Sequence, residues 1–561
     1  MKKRFKYILI VLVTAGFISS CEQTDLDLRV SPNDLAADQA DPNLVLNAIQ
    51  LAYASNMYAI GDLGSELTRI DYMFGRDYFN NYPGNTFSAI WARTYSSGTN
   101  IPGRGVAVGI FSNVAALEDI DANSDIDYSF HVGVGKTLKA HMLMLLVDYL
   151  GKTALSEAGN AAEFPAPNLD EGEAVYQAAL SLLDDAEALF TDSAGPQGAS
   201  DLFYDGDLDK WQKLVNTIRL KAYVTTGDVA SFNTIVNSGD YISSNEDDFQ
   251  FTYGSSELQP DTRHPDYASD YTPSGANIYQ SNWLMETMLD NNDPRIRYYF
   301  YRQVDETPGA DADPNEETLA CSLVTPPQHY VDGNYTYCSV GMGYWGRSHG
   351  NDEGTPPDNF LRTAVGVYPA AGRFDDNSFD VVGLGLGGGG AGIEPIILSA
   401  YVDFWRAEIA AMQNQPAANV AALIRSGLEK HIDKVMSFGS LDPGADLNSF
   451  APTSSEVDDY LQGIEDSYVA GTSEEQMNIL GEQYFITQYG SGTEAYNFYR
   501  RTGYPTTVLP SWEPDPGAFP RSFLYPQNEV ITNPNLDQKQ TLTEQVFWDT
   551  NPPSPTFPVA N

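Results

Sequence analysis

KTLKAHMLMLLVDYLG, residues 136–151, is the stretch whose reading decides the fold class. Leu138, Met142, Leu145 and Tyr149 fall at i, i+4, i+7 and i+11, which is one apolar face of an α-helix, and Gly151 stands where a helix stop belongs. The spacing recurs outward from there. Val175, Ala179, Leu182, Ala186 and Leu189 repeat it, as do Trp211, Leu214, Val215, Ile218 and Ala222, which end before Gly227. Both Trp211 and Trp405 fit apolar stripes and are expected in the core. Further helices are expected over 42–58, 105–120, 395–412 with Pro395 in the first turn, 417–436 and 474–489. Helices of similar length paired at about 30–40 residues predict a mainly α protein built on a tetratricopeptide-like helix-pair scaffold.

The texture changes over about 229–393, which is rich in Gly, Pro, Asn, Asp and Tyr. Long loops without their own structure are uncommon in ordered domains unless they are functional, and this stretch carries too many aromatics to be disordered. It is read as a large, loop-rich, ligand-binding insertion on a helical scaffold formed by about 41–228 and 394–490. The proline-rich tail, 504–561, is expected to wrap the body.

The N-terminus sets the compartment. Lys2, Lys3, Arg4 and Lys6 precede an apolar run over 8–17 and the small residues Ser19 and Ser20. This is a secretory signal over 1–20, too short to span a bilayer. Cys21 follows directly, where a bacterial lipobox would place an acylated cysteine. Residues 21–40 then form an acidic tether beginning with Glu22, Asp25 and Asp27. Cys321 and Cys338 remain, and in an exported chain they are expected to pair.

Charge narrows the ligand. The chain has 76 acidic and 31 basic residues and a formal net charge of −45. Such a surface repels nucleic acid, whose phosphates are bound by Lys and Arg, and it favours a neutral ligand over a polyanion. The glycine run 383–392 contains a formal G-x-G-x-x-G, but no parallel sheet surrounds it. It is read as a connector into a helix at Pro395. The six histidines form no ligand-like pair, and there is no G-x-S-x-G elbow, so neither a metalloenzyme nor a serine hydrolase is indicated. FDDNSFD (374–380) and GNDEG (350–354) offer oxygen ligands of the kind calcium takes, but neither matches an EF-hand loop. Asp and Asn capping their own turns are the favoured reading, structural calcium is the alternative, and no other cofactor is expected.

The informative segment is NYTYCSVGMGYWGRSHGND, 334–352. Tyr344 and Trp345 lie between Gly343 and Gly346, with Arg347 beside them. Aromatic rings stack on the C–H faces of sugars while Arg, Asn and Asp take the hydroxyls, the general logic of a small-ligand site. The alternative is that Trp345 plugs the core under its loop. RDYFNNYPGN, 76–85, has the same texture. The candidate ligand residues are therefore Trp345, Tyr344, Arg347, Tyr78 and Tyr82, with Trp283 and Trp91 as further candidates. No catalytic residue is assigned.

The lipobox, KTLKAHMLMLLVDYLG (136–151), DGDLDKWQKLVNTIRLKAYVTTGD (205–228), EAYNFYRRTGYP (494–505), PRSFLYPQNE (520–529) and GYWGRSHGNDEGTPPD (343–358) converge on one likeness. The chain resembles the SusD-like (SusD/RagB) family of outer-membrane nutrient-binding lipoproteins. The resemblance implies an α-rich fold with a loop-rich ligand face. It implies a place on the cell surface, a SusC-like TonB-dependent transporter as partner, and capture of an oligo- or polysaccharide without catalysis. Arg500, Arg501, Tyr525 and Pro526 match family-like positions and are read as structural. The other readings are a surface glycoside hydrolase, with two acids roughly 5–10 Å apart, and a peptide-binding RagB-like protein.

Overall fold

Helices that bury one stripe each need partners, and here they find them mainly in one another. The computed structural model describes residues 40–101, 105–306, 324–353 and 361–558. Cys21, Cys321, the signal and nearly all of the tether lie outside them. The scaffold begins with α1 (Pro42–Thr68), α2 (Ser88–Tyr95), α3 (Ile110–Ala122), α4 (Ser129–Leu150), α5 (Gly172–Asp192), α6 (Leu208–Thr226) and α7 (Val229–Ser238). After the insertion it resumes with α10 (Ser399–Met412), α11 (Ala417–Ser437), α12 (Ser454–Ala470), α13 (Ser473–Thr487) and α14 (Thr493–Thr502). The protein is mainly α, and sequential helices pack as neighbours: α4 on α5, α6 on α7, α10 on α11 and α12 on α13.

α4 is the helix of the opening stretch, and all but two of its residues are buried. It closes on Gly151 at φ 81°, a conformation that suits glycine. On α5 the buried stripe is Val175, Tyr176, Ala179, Leu183, Ala186 and Phe190, so the seam runs one residue beyond the expected Leu182 and Leu189. α6 starts at Asp207, whose carboxylate accepts from the Asp209 and Lys210 amides, and ends at left-handed Gly227. Trp211 and Trp405 are fully buried. α12 carries a capping box between Thr453 and Glu456.

Three expectations are corrected. Residues 105–108 form a strand, and the helix begins at Ile110. Residues 229–238 are helical and pack on α6 rather than opening the loop-rich part. Pro395 lies in a strand, β7 (Ile393–Ile397), and the helix starts at Ser399. β7 pairs antiparallel with β1 (Phe249–Thr252), Pro395 facing Gln250 beside a register shift. A proline fits a strand at such an irregularity, and the glycine run that was read as a helix connector feeds this strand.

The insertion holds short elements: α8 (Pro265–Asp270), β2 (Gln280–Ser281), α9 (Asn282–Asp290), β3 (Phe300–Tyr301), β4 (Ser339–Gly341), β5 (Tyr344–Arg347) and β6 (Ala364–Val365). β5 is the centre of a three-stranded sheet, antiparallel to β4 and parallel to β2. The tail crosses the body: the Phe523 amide donates to the Tyr149 carbonyl at 2.7 Å and the Gln527 amide to the Gly84 carbonyl at 2.7 Å.

Four of the segments that carried the resemblance meet at one buried node. Lys221 of α6 pairs with Asp148 of α4 at 2.8 Å and with Glu494 of α14 at 3.2 Å. Arg500 donates to the carbonyls of Asp148 at 2.7 Å and Arg521 at 2.6 Å. Trp548 Nε1 donates to Asp148 at 2.9 Å, and the Tyr176 hydroxyl donates to it as well. Burial works to raise the Asp148 carboxyl, but Lys221 and these donors hold it below the usual range.

Candidate functional site

The two aromatic segments of the sequence are neighbours in space. The Gly350 amide donates to the Met73 carbonyl at 3.0 Å, and Arg76 pairs with Asp352 at 3.0 Å. The Tyr78 ring packs against His349, centroids 5.7 Å apart. The tail closes the third side: the Trp512 amide donates to the His349 carbonyl at 2.7 Å and the Tyr78 amide to the Pro516 carbonyl at 2.9 Å.

Within this frame the seven residues chosen from sequence all face inward. Trp345 is 0% exposed and packs with Cys338, Val304, Tyr337 and Leu361, its Nε1 having no hydrogen-bond partner. Tyr344 is buried under the Arg302 guanidinium, 4.8 Å from the ring centroid. Arg347 is buried over the Tyr279 ring at 4.7 Å and donates to the Glu353 carbonyl. Tyr78 accepts from Arg69 at 3.1 Å, and Tyr82 donates to Glu66 at 2.9 Å. Trp283 is buried and donates to the Thr507 carbonyl at 3.1 Å. Trp91 is buried against Tyr95, centroids 4.4 Å apart. None of these rings offers an open face in this structure.

The glycines explain the inversion. A Cβ on Gly346 would lie 2.1 Å from the Gln280 carbonyl oxygen, and one on Gly343 would lie 2.1 Å from that of Val304. These glycines let backbones approach, rather than letting a loop swing a ring outward. Cys338 at the end of the hairpin is disulfide-bonded; its expected partner Cys321 lies outside the described residues. The acids of 374–380 serve turns and ion pairs: Asp375 is buried against Arg302 at 2.6 Å, Asp380 pairs with Arg373 at 3.5 Å, and Asp376 caps the Ser378 amide at 3.1 Å.

What the frame presents to solvent are residues next to the chosen ones. Phe74 and Phe79 are each 53% exposed, and the Arg76 side chain is exposed beside them. Asp77 caps a single helical turn, 78–81, by accepting from the Asn80 amide. That turn directs Tyr78 and Tyr82 to the core and leaves Phe79 outside. Asn80 is exposed, and Asp352, Glu353 and Glu513 border the surface. Two open rings among amides, acids and an arginine, on a backbone pinned from three sides, can stack on a sugar and bond its hydroxyls. Phe79 lay inside the quoted 76–85 segment. Its signal was the (i, i+4) spacing of Tyr78 and Tyr82, which puts the residue between them on another face.

Residues 78–316 match the SusD-like family model described as "Starch-binding associating with outer membrane". That segment of the chain is similar to the SusD-like family. Solved structures show the same fold over nearly the whole chain. A SusD/RagB family protein from Bacteroides thetaiotaomicron VPI-5482 is 17% identical with a TM-score of 0.62, over 91% of this chain and 100% of that one. A chitin-binding SusD homologue from Flavobacterium johnsoniae is 17% identical with a TM-score of 0.59, over 91% and 99%. A further chitin-binding protein is 19% identical with a TM-score of 0.61, over 91% and 100%. A comparison with curated proteins finds no match. Among the described residues, no helix is long and apolar enough to cross a membrane.

Proposed function

We propose that this protein is a cell-surface glycan-binding lipoprotein, anchored in the outer membrane through Cys21, that captures an oligo- or polysaccharide and passes it to a SusC-like TonB-dependent transporter. It performs no chemistry on its ligand. The observation that carries the reading is the pinned surface of 73–81, 349–353 and 511–517 with Phe74 and Phe79 open to solvent. The family-model match over 78–316 and the chitin-binding of two structural neighbours support a glycan as ligand. The net charge of −45 disfavours a polyanion. Tyr78, Tyr82, Tyr344, Trp345 and Arg347 enter this proposal as the frame beneath the surface, and Trp283 and Trp91 as core behind it.

The test is titration calorimetry against neutral and anionic polysaccharides and a peptide mixture, with product analysis afterwards. The expected result is binding of a neutral glycan without breakdown. Phe79→Ala is expected to weaken it roughly threefold to tenfold, the worth of one aromatic contact. Sugar products would replace this reading with a surface glycoside hydrolase. Binding confined to peptides would keep the fold and overturn the ligand.

A further inference from the structure

A recess lined by acids that have no Lys or Arg partner among the described residues lies where α1, α8, β2 and β7 meet. Tyr58, Asp62 and Glu66 stand at i, i+4 and i+8 on α1 and make one stripe. Across from them are Asp71, whose backbone bridges to Gln280, Asp266 of α8, and Glu394 of β7. The Tyr58 hydroxyl donates to Asp266 at 2.7 Å, which fixes the distance between α1 and α8. The only basic side chain within 4 Å of these acids among the described residues is His264, 3.8 Å from Asp266, and burial holds it toward its neutral form. Water reaches the recess: Asp62 is exposed, and Glu66, Asp71 and Asp266 are half-buried.

Two polar groups at its wall are sealed from solvent and unsatisfied. Glu394 is 1% exposed, and its Oε2 has no hydrogen-bond partner. Gln280 is 3% exposed, and its Nε2 has none either, although its Oε1 accepts from Tyr489 at 3.3 Å. A buried carboxylate with nothing to pair with costs several kcal/mol. Burial and the neighbouring acids accordingly push the Glu66, Asp71 and Glu394 carboxyls up.

The unsatisfied atoms differ in kind. With no cation beside it the Glu394 carboxyl is held toward its neutral form, and a cationic donor at Oε2 would favour its charged form. Gln280 Nε2 asks for an acceptor. A metal ion answers only the first demand. Among the described residues, moreover, no three acids, histidines or cysteines come close enough together to hold one. A lysine end brings an ammonium on an alkyl stem with no acceptor beside it. An amino sugar brings an ammonium with hydroxyl oxygens on the adjoining carbons.

We propose that the recess between α1, α8, β2 and β7 receives the protonated amino group of an amino sugar in the captured glycan, with Glu394 and Asp62 taking the ammonium and Gln280 a neighbouring hydroxyl oxygen. This rests on the glycan-capture reading and refines its substrate class to an otherwise neutral chain bearing free amines. The strongly negative surface attracts such a chain as it repels an anionic one.

The experiment is calorimetry at pH 7 with four probes: a glucosamine tetramer, its N-acetylated counterpart, a glucose tetramer and trilysine. The glucosamine tetramer is expected to bind at least tenfold more tightly than either neutral tetramer. That advantage is expected to shrink below threefold in Glu394→Gln and in Asp62→Asn, while both variants keep their affinity for the neutral tetramers. Asp62 is exposed, so its variant tests the site without disturbing the core. Equal affinity for amine and acetamide, or an advantage that survives both substitutions, overturns the inference and leaves glycan capture standing. Trilysine binding more tightly than the sugar amine overturns the sugar class. If no sugar binds at all, the capture reading itself fails and this inference falls with it.

Discussion

The exposed and buried rings of this protein separate by consequence. Trp345 is 0% exposed and fills the space between Cys338, Val304 and Leu361. Its replacement by alanine is expected to cost about 3–5 kcal/mol of stability through the cavity it leaves, read as a lowered denaturation midpoint. Phe79, at 53% exposure, has little packing to lose. Phe79→Ala is expected to stay within about 0.5 kcal/mol of the parent, with the loss falling on glycan affinity instead. A Trp345→Ala protein as stable as the parent would show that the ring is not a core residue in solution. The segment holding the candidate site was legible in the sequence, but the orientation of its rings was not. Glycines beside Trp345 fit an open loop and a close backbone approach equally well, and only the positions of Gln280 and Val304 decide between them.

Elements were legible where one face is apolar and the stop is explicit, as in α4 and α6 with Gly151 and Gly227. β7 was not, because five buried residues in a row read as well for a helix start as for a strand. α12 went unrecognised although Thr453-x-x-Glu456 announces it, since only Tyr460, Leu461 and Tyr468 are buried along it. Thr453→Ala is expected to cost about 1 kcal/mol through loss of that cap, read by urea titration. The parallel pairing of β5 with β2 depends on Gly346, where a side chain would meet the Gln280 carbonyl at 2.1 Å. Gly346→Ala is expected to separate these strands and to cost about 2–3 kcal/mol, which urea titration also measures. An unchanged midpoint would mean that the hairpin shifts without cost. The node at Lys221 ties α4, α6 and α14 in the same way. Lys221→Met leaves Asp148 and Glu494 uncompensated, with an expected loss of about 3–5 kcal/mol.

Taken as a whole, the chain has 45 more negative than positive charges, and its buried titratable groups pull stability in opposite directions with pH. Burial lowers His141 to about 3 and lowers His264, His349 and His431 too. These histidines stay neutral when folded and take up protons when unfolded, so their part of the stability is lost as pH falls below the ordinary histidine value of about 6.5. The recess works the other way. Desolvation by the residues packed around it and the Asp266 charge push Asp62 up to about 7, even though part of the residue meets water, and burial pushes Asp270, outside the recess at the end of α8, up to about 6. A carboxyl raised in the folded state binds more protons there than in the unfolded chain between about pH 4 and its folded value. Its contribution is therefore most favourable at low pH and declines as pH rises. The two sets oppose each other through the same window, so the parent's profile alone does not separate them. The difference between parent and variant does. Asp62→Asn removes one raised carboxyl while leaving the histidines and Tyr58, Glu66, Asp71, Asp266 and Glu394 in place. The variant and parent are expected to be equally stable near pH 4, the variant is expected to gain steadily toward pH 7, and the gap is expected to stay constant above pH 8. Denaturant midpoints at pH 4, 5.5, 7 and 8.5 would measure it. A gap of the same size at every pH would mean that Asp62 titrates as an ordinary surface carboxyl and that the recess exerts no field on it.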